Sequence, residues 1–235
     1  MKRSCCRPLL RERRPTLGGK GNRVATTNAE QAYALIKEKI ITTRMKPGAM
    51  IDEAALVEDL GLGRTPIREA CKRLEVERLV VVLPRRGMYV AEVTLSELRE
   101  LEEVRLELEA LAARLAVERM STAQIDEIHV LLEEFMACEA RPGEGQGGLL
   151  EIDQRLHGLI WRASQNALLE TECRRMHEHS LRMWYLLVDR LQAAELHEDF
   201  FEEIAAAAST HDQQRADQAM RRHIMQFGDA IRRHI

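Results

Sequence analysis

Residues 61–90, GLGRTPIREACKRLEVERLVVVLPRRGMYV, decide how the chain is read. Gly61 has no Cβ and accepts a positive φ at little cost, so it marks a sharp turn. Pro66 falls in the first turn of a helix, where a missing N–H is tolerated. Ile67, Ala70 and Leu74 then recur at helical spacing and supply an inner face, carrying the helix to about Glu77. Leu79-Val80-Val81-Val82-Leu83 is short and β-branched, which predicts a strand. Pro84-Arg85-Arg86-Gly87 makes a turn, and Met88-Tyr89-Val90 returns as a second strand.

Upstream, Asn28 and Gln31 form a capping pair for a helix over 29–43, with Tyr33, Leu35, Ile36 and Ile40 on its apolar side. Pro47-Gly48 ends the connection that follows. Asp52 caps a short second helix carrying Leu56 and Leu60. Three short helices, a glycine turn between the second and third, and a hairpin make a winged helix-turn-helix over 28–92. Residues 1–27 are rich in Arg, Gly and Thr without periodicity and are expected to be a disordered basic arm.

Downstream the pattern is helical throughout. Thr94-x-x-Glu97 opens a run to about Met120, and Ser121-x-x-Gln124 opens another to about Ala140. Residues 141–148, RPGEGQGG, read as a loop. Helices are expected at about 149–164, 167–192, 198–208 and 213–233, the last capped by Asp212. The fold class is therefore mainly α: an N-terminal winged helix-turn-helix followed by an antiparallel all-helical bundle over 93–235.

The composition narrows the function. The 235 residues are 45% hydrophobic and 31% charged, enough to bury a core. Mean hydropathy is −0.32, and no apolar run approaches the ~18 residues of a spanning helix, so no membrane partner is expected. The first residues lack the apolar stretch of a secretory signal. The five cysteines, Cys5, Cys6, Cys71, Cys138 and Cys173, are odd in number and form no C-x-x-C pair, which argues against a disulfide framework. A cytoplasmic location is expected. The net charge of −3 hides an asymmetry: residues 1–92 hold 19 Lys and Arg against 11 Asp and Glu, and residues 93–235 hold 16 against 27. A polyanion-binding unit is joined to an acidic unit with another task.

Arg64, Thr65 and Arg68 crowd the start of the third helix, where side chains reach base edges in a major groove. Arg64 and Arg68 are one turn apart and share a face. A guanidinium matches guanine O6 and N7, or binds a phosphate, and the Thr65 hydroxyl suits a phosphate oxygen. Arg85, Arg86 and Gly87 at the hairpin tip can lie along the backbone or in the adjoining minor groove. The expected partner is double-stranded DNA.

The segments Pro47-Gly48, Leu56–Leu60, Gly61–Ala70, Leu74-Glu75 and Arg86-Gly87-x-x-Val90 resemble the GntR family of bacterial transcription regulators. Two positions depart from the family pattern. Gly63 stands where Ser or Thr is usual, so one capping hydroxyl is missing. Arg78 stands where Gly is usual, before the first strand.

The second half resembles the FCD domain of the FadR-like branch, through Val104–Glu109, Asp153-x-x-x-His157, Ala163–Asn166 and Ala216-x-x-Ala219-Met220-x-x-His223. The resemblance implies a homodimer that binds a pseudo-palindromic operator, and a bundle that holds a small carboxylate effector. In many members that effector sits around a metal bound by one Asp and three His. Asp153 and His157 at i, i+4 project from one helix face and suit a divalent transition metal such as zinc, nickel or manganese. His223 supplies the third ligand. The family's remaining His falls on Phe201, which cannot ligate, and His197 is a substitute one turn earlier.

Arg105 is either a bidentate clamp for the effector carboxylate or the partner of a nearby glutamate. Asn166 either contacts effector or caps the next helix. His177 and His179, two apart, point to different helix faces and make a poor ligand pair. The stripe Leu101, Val104, Leu108, Leu111, Leu115 is core or dimer surface. A rival reading takes His211-Asp212 as the signature of a metal-dependent HD-type phosphohydrolase, although Asp212 has a simpler role as a helix cap.

Overall fold

The computed structural model describes residues 27–139, 146–187 and 199–234. The expected basic arm, residues 141–145 of the expected loop, His197, Cys5 and Cys6 lie outside these residues, as does the end of the helix expected over 167–192. Packing divides the described chain into two units. One holds residues up to Thr94 together with Leu181–Leu186; the other holds Leu95–Ser180 and the residues from Leu187 onward.

In the first unit, helix α1 spans Asn28–Ile41. Its capping box is one residue earlier than the sequence suggested. Thr27 Oγ1 accepts from Glu30 N at 3.2 Å, and Thr27 N donates to Glu30 Oε2 at 2.8 Å. Threonine with glutamate three residues on makes a reciprocal pair that an Asn28 cap would forfeit. Helix α2, Glu53–Leu60, starts at Asp52, whose Oδ1 accepts from Ala54 N and Ala55 N at 2.8 and 3.1 Å. It stops at Gly61, in the left-handed region with φ +65°.

Helix α3, Arg64–Val76, buries Ile67, Ala70, Cys71 and Leu74. Together with Ile36 and Ile40 of α1 these form the centre of the unit. Each large aliphatic chain so buried contributes about 1.5–3 kcal/mol. Strands β1, Val80–Leu83, and β2, Gly87–Val90, pair antiparallel from Val80↔Val90 to Leu83↔Gly87. The segment before α2 adds to the hairpin: Ile51 N donates to Met88 O at 2.8 Å, and Val90 N to Ala49 O at 2.9 Å.

The second unit is an all-helical bundle. It comprises α4 (Leu95–Arg119), α5 (Thr122–Glu139), α6 (Gln146–Ala163), α7 (Ala167–Leu187, its last turns grouped with the first unit), α8 (Phe200–Thr210) and α9 (Gln213–His234). Helix α6 begins inside the stretch expected to be loop. The Ser121/Gln124 box forms, with Gln124 Oε1 accepting from Ser121 N at 3.0 Å. Asp212 caps α9 through Arg215 N at 3.0 Å.

Helix α4 packs against α6, α8 and α9, and α5 packs against α6 and α8. Its core face is the alanine-rich side, Ala110, Ala112, Ala113, Ala116 and Val117. Small side chains there let neighbouring helices approach closely. Of the leucine stripe, Leu101 is buried, Leu108, Leu111 and Leu115 are partly buried, and Val104 is exposed. Among the described residues no helix is long and apolar enough to cross a membrane.

Candidate functional site

The first site is the start of α3 and the hairpin tip. Gly63 is the N-cap of α3 and makes no side-chain capping bond, so the first N–H groups of the helix stay available to an anion. Arg64, Thr65 and Arg68 are all exposed around this end. Arg64 has no carboxylate partner among the described residues, whereas Arg68 Nε donates to Glu53 Oε2 at 2.7 Å. That contact is made through Nε, and the Arg68 side chain stays 65% exposed. At the hairpin tip Arg85, Arg86 and Gly87 are exposed. The turn is closed by Arg86 N donating to Leu83 O at 3.0 Å, with φ +63° at Arg85 and +102° at Gly87. Every residue singled out for DNA in the sequence is thus exposed, on the first turns of α3 or at the hairpin tip.

The second site is buried in the bundle. Asp153 and His157 come from α6 and His223 from α9, all less than a tenth exposed. His157 Nε2 lies 3.1 Å from His223 Nε2, and Asp153 Oδ1 lies 3.7 and 3.5 Å from those two nitrogens. Donors sharing one ion at about 2.0–2.2 Å stand roughly 3–3.6 Å apart; two of these three separations fall in that range and the third, 3.7 Å, lies just beyond it, close to the spacing of a metal's ligand set. Phe201 is in the core, stacked on Phe135 at 4.3 Å, and cannot join them. Its neighbour Phe200 stacks on the His223 ring at 3.9 Å and 12°, filling that side with carbon.

A second donor cluster adjoins the first: Glu109, His157 and His177. Glu109 Oε2 is 2.8 Å from His157 Nδ1, and its Oε1 accepts from Arg105 Nε at 2.5 Å. Burial alone would raise the Glu109 carboxyl, but the Arg105 guanidinium, with His157 and His177, outweighs it and holds the group well below the usual carboxylate range. For His177 burial dominates, reinforced by His157 and Arg105, and pushes its imidazole well below the ordinary value, so it is neutral. In each cluster the candidate donor atoms lie within 4.8 Å of one another.

The structure brings Asp153, His157 and His223 together, and takes Arg105 into an internal network. Its three nitrogens meet Glu109, Ser180 Oγ at 3.0 Å and His177 Nδ1 at 3.4 Å. Asn166 Oδ1 caps α7 by accepting from Leu169 N at 3.1 Å. Sequence reasoning missed Glu109 and His177. For Glu109 a signal existed, since Arg105 and Glu109 are i, i+4 and face inward together. The two-residue spacing of His177 and His179 predicts different faces, and they do part: His179 contacts Glu97 at 3.1 Å, while His177 neighbours His157 across the bundle, ring centroids 4.7 Å apart. The phosphohydrolase reading fails on geometry: His211 Nδ1–H donates to Val117 O at 2.6 Å, and Asp212 is a helix cap.

An exposed cationic helix start and basic wing on one unit, with a buried polar centre in a helical bundle on the other, define a DNA-binding regulator with a sensing domain. Residues 28–90 match the bacterial regulatory proteins of the gntR family, and residues 100–226 match the FCD domain. The chain belongs to this family, a GntR regulator carrying an FCD domain, which is a family of transcription regulators and not of catalysts. It is 29% identical over 140 residues to the regulator YdhC of Bacillus subtilis, covering 60% of this chain and 62% of that protein. It is 29% identical over 199 residues to the Nta operon transcriptional regulator of Aminobacter aminovorans, covering 77% and 89%. The solved structure of Escherichia coli McbR/YncC superposes with a TM-score of 0.77 at 24% identity, over 89% of this chain and 99% of that one, a likeness of fold.

Proposed function

We propose that the protein is a homodimeric, FadR-like regulator that binds a pseudo-palindromic operator and senses a small carboxylate through a divalent metal held by Asp153, His157 and His223. The observation that carries the metal reading is the 3.1–3.7 Å spacing of those three buried donor atoms. One carboxylate and two imidazoles suit zinc, nickel or manganese, and a bound ion supplies a Lewis-acidic centre for a carboxylate. Effector or water completes the shell around these three ligands, or a further protein ligand does.

Arg64 and Arg68 read base edges, Thr65 and the α3 N-terminus hold phosphate, and Arg85, Arg86 and Gly87 contact the backbone beside them. Leu108, Leu111 and Leu115 of the α4 stripe pack against the bundle core, so a second copy would dock at the α4 edge marked by the exposed Val104. Arg105 and Asn166 are proposed effector-lining residues: Arg105 reaches a ligand by exchanging the Ser180 and His177 bonds of its terminal nitrogens while its Nε stays on Glu109, and Asn166 by exchanging its cap bond. Effector alters operator affinity to the extent that it binds two domain arrangements unequally.

Fluorescence anisotropy of the full chain on its own upstream DNA and on random DNA, at moderate salt, tests the reading. Preference of at least about a thousandfold is expected, shifted by di- and tricarboxylates only when metal is present. Equal weak binding to both DNAs refutes it.

A further inference from the structure

Two donor clusters share His157, one through each ring nitrogen. We infer that only the Asp153–His157–His223 set holds a cation, and that Glu109 is a positioning residue which fixes His157 as the Nδ1–H tautomer and so aims its Nε2 lone pair at that set. This inference rests on the metal reading proposed above.

The arginine beside Glu109 distinguishes the clusters. A guanidinium has donors and no acceptor, so His177 Nδ1, 3.4 Å from Arg105 Nη2, accepts, and the ring proton sits on His177 Nε2. His177 therefore has one nitrogen occupied and the other protonated, with no lone pair to offer an ion. Glu109 is already neutralised by the same guanidinium at 2.5 Å, and a second cation placed there would face Arg105 across a few ångströms of buried protein.

What Glu109 has left is Oε2, 2.8 Å from His157 Nδ1. The pair is close but imperfectly aligned, and neither atom has another polar partner among the described residues. Both residues are fully buried, so leaving the pair unmade would cost the desolvation of a carboxylate and an imidazole nitrogen. A carboxylate so charged only accepts, so His157 Nδ1 donates and Nε2 keeps its lone pair. Ser180 and Arg105 brace Glu109 from behind, which makes a chain Ser180–Arg105–Glu109–His157 from α7 through α4 to α6. Carboxylates behind metal-binding histidines fix ring orientation and raise ligand basicity in this way.

The test uses the full chain with Zn²⁺ as probe. In Glu109→Gln the amide oxygen stays on Arg105, its charge-assisted donor, and the NH₂ group turns to His157 Nδ1. The ring must then accept there, which moves its proton to Nε2. Two-bond ¹H–¹⁵N spectra of the metal-free protein should show His157 as Nδ1–H in the parent and as Nε2–H in the variant. Competition with a chromophoric chelator should show Zn²⁺ affinity falling about 10- to 100-fold in the variant, and by less than about threefold in His177→Phe.

An Nε2–H tautomer in the parent, or unchanged tautomer and affinity in Glu109→Gln, overturns the inference. So does loss of Zn²⁺ in His177→Phe with retention in Asp153→Asn. If the parent binds no Zn²⁺, Ni²⁺ or Mn²⁺, the metal reading falls, while the metal-free spectrum still decides the role of Glu109. If Glu109→Gln does not fold, the parent spectrum and the His177→Phe titration decide alone.

Discussion

Replacing Arg78 with glycine should stabilise the winged unit. Helix α3 ends in a Schellman arrangement: Leu79 N donates to Leu74 O at 2.9 Å and Arg78 N to Glu75 O at 2.9 Å. Leu74 and Leu79, the apolar pair of that motif, are both buried. The motif needs a left-handed residue after the cap, and Arg78 supplies it at φ +61°, where its Cβ crowds the following carbonyl. That conformation costs an L-residue about 1–2 kcal/mol. Glycine removes the cost but brings about 0.5–1 kcal/mol of extra freedom in the unfolded chain. The net gain is about 0.5–1 kcal/mol.

Arg78 is exposed, so little packing is lost with it. Arg78→Ala is the control, because it removes the same charge and stem while keeping the Cβ. Hydrogen exchange of the Cys71–Leu79 amides reads the stability of this unit without assuming that the two units unfold together. Protection should rise about two- to fivefold in Arg78→Gly relative to Arg78→Ala. Equal protection in the two variants would refute the backbone explanation.

Three further outcomes are expected. Arg64→Ala should relax base preference by about 1–3 kcal/mol per half-site, whereas Arg86→Ala should weaken all sequences alike and flatten the salt slope by about one per subunit, read by anisotropy titrations over a salt series. Gly48→Ala should cost about 1–2 kcal/mol in urea unfolding, because Gly48 has φ +73°; the exposed Glu92 carboxylate that an added Cβ would meet can swing aside. Burial pushes the Cys71 thiol up to about 11 and the Cys173 thiol up to about 12, so alkylation at pH 8 should leave both unmodified in the native protein until it is unfolded, as peptide mapping would show.

Much of the fold was legible because its signals are local. Asp52 and the Ser121/Gln124 pair act on backbone groups two or three residues away, and Gly61 acts on its own φ. The misplaced cap at Asn28 shows the limit. Thr27, Asn28, Glu30 and Gln31 offer two overlapping capping frames, and the choice went to the one with a carboxylate able to close the box. The departure at Arg78 was also visible as a residue out of place, but the sequence did not show that the position is left-handed and that the motif forms regardless.

The buried site divides along the same line. Spacing on one helix puts Asp153 and His157 on a common face, where Asp153 Oδ1 and His157 Nε2 lie 3.7 Å apart. Nothing local links His157 to His177, His223 or Glu109, which arrive on three other helices, and nothing local says that Phe200 stacks on His223 while Phe201 enters the core. Arg105 shows why. From the sequence it was equally a clamp for a foreign carboxylate or the mate of a resident one. A charged group taken out of water must be matched by whatever packing brings within reach, and that is set by how helices meet, not by the order of residues along any one of them. The chain's own sequence determined which elements form and which faces they bury; the meeting of α4, α6, α7 and α9 decided the partners.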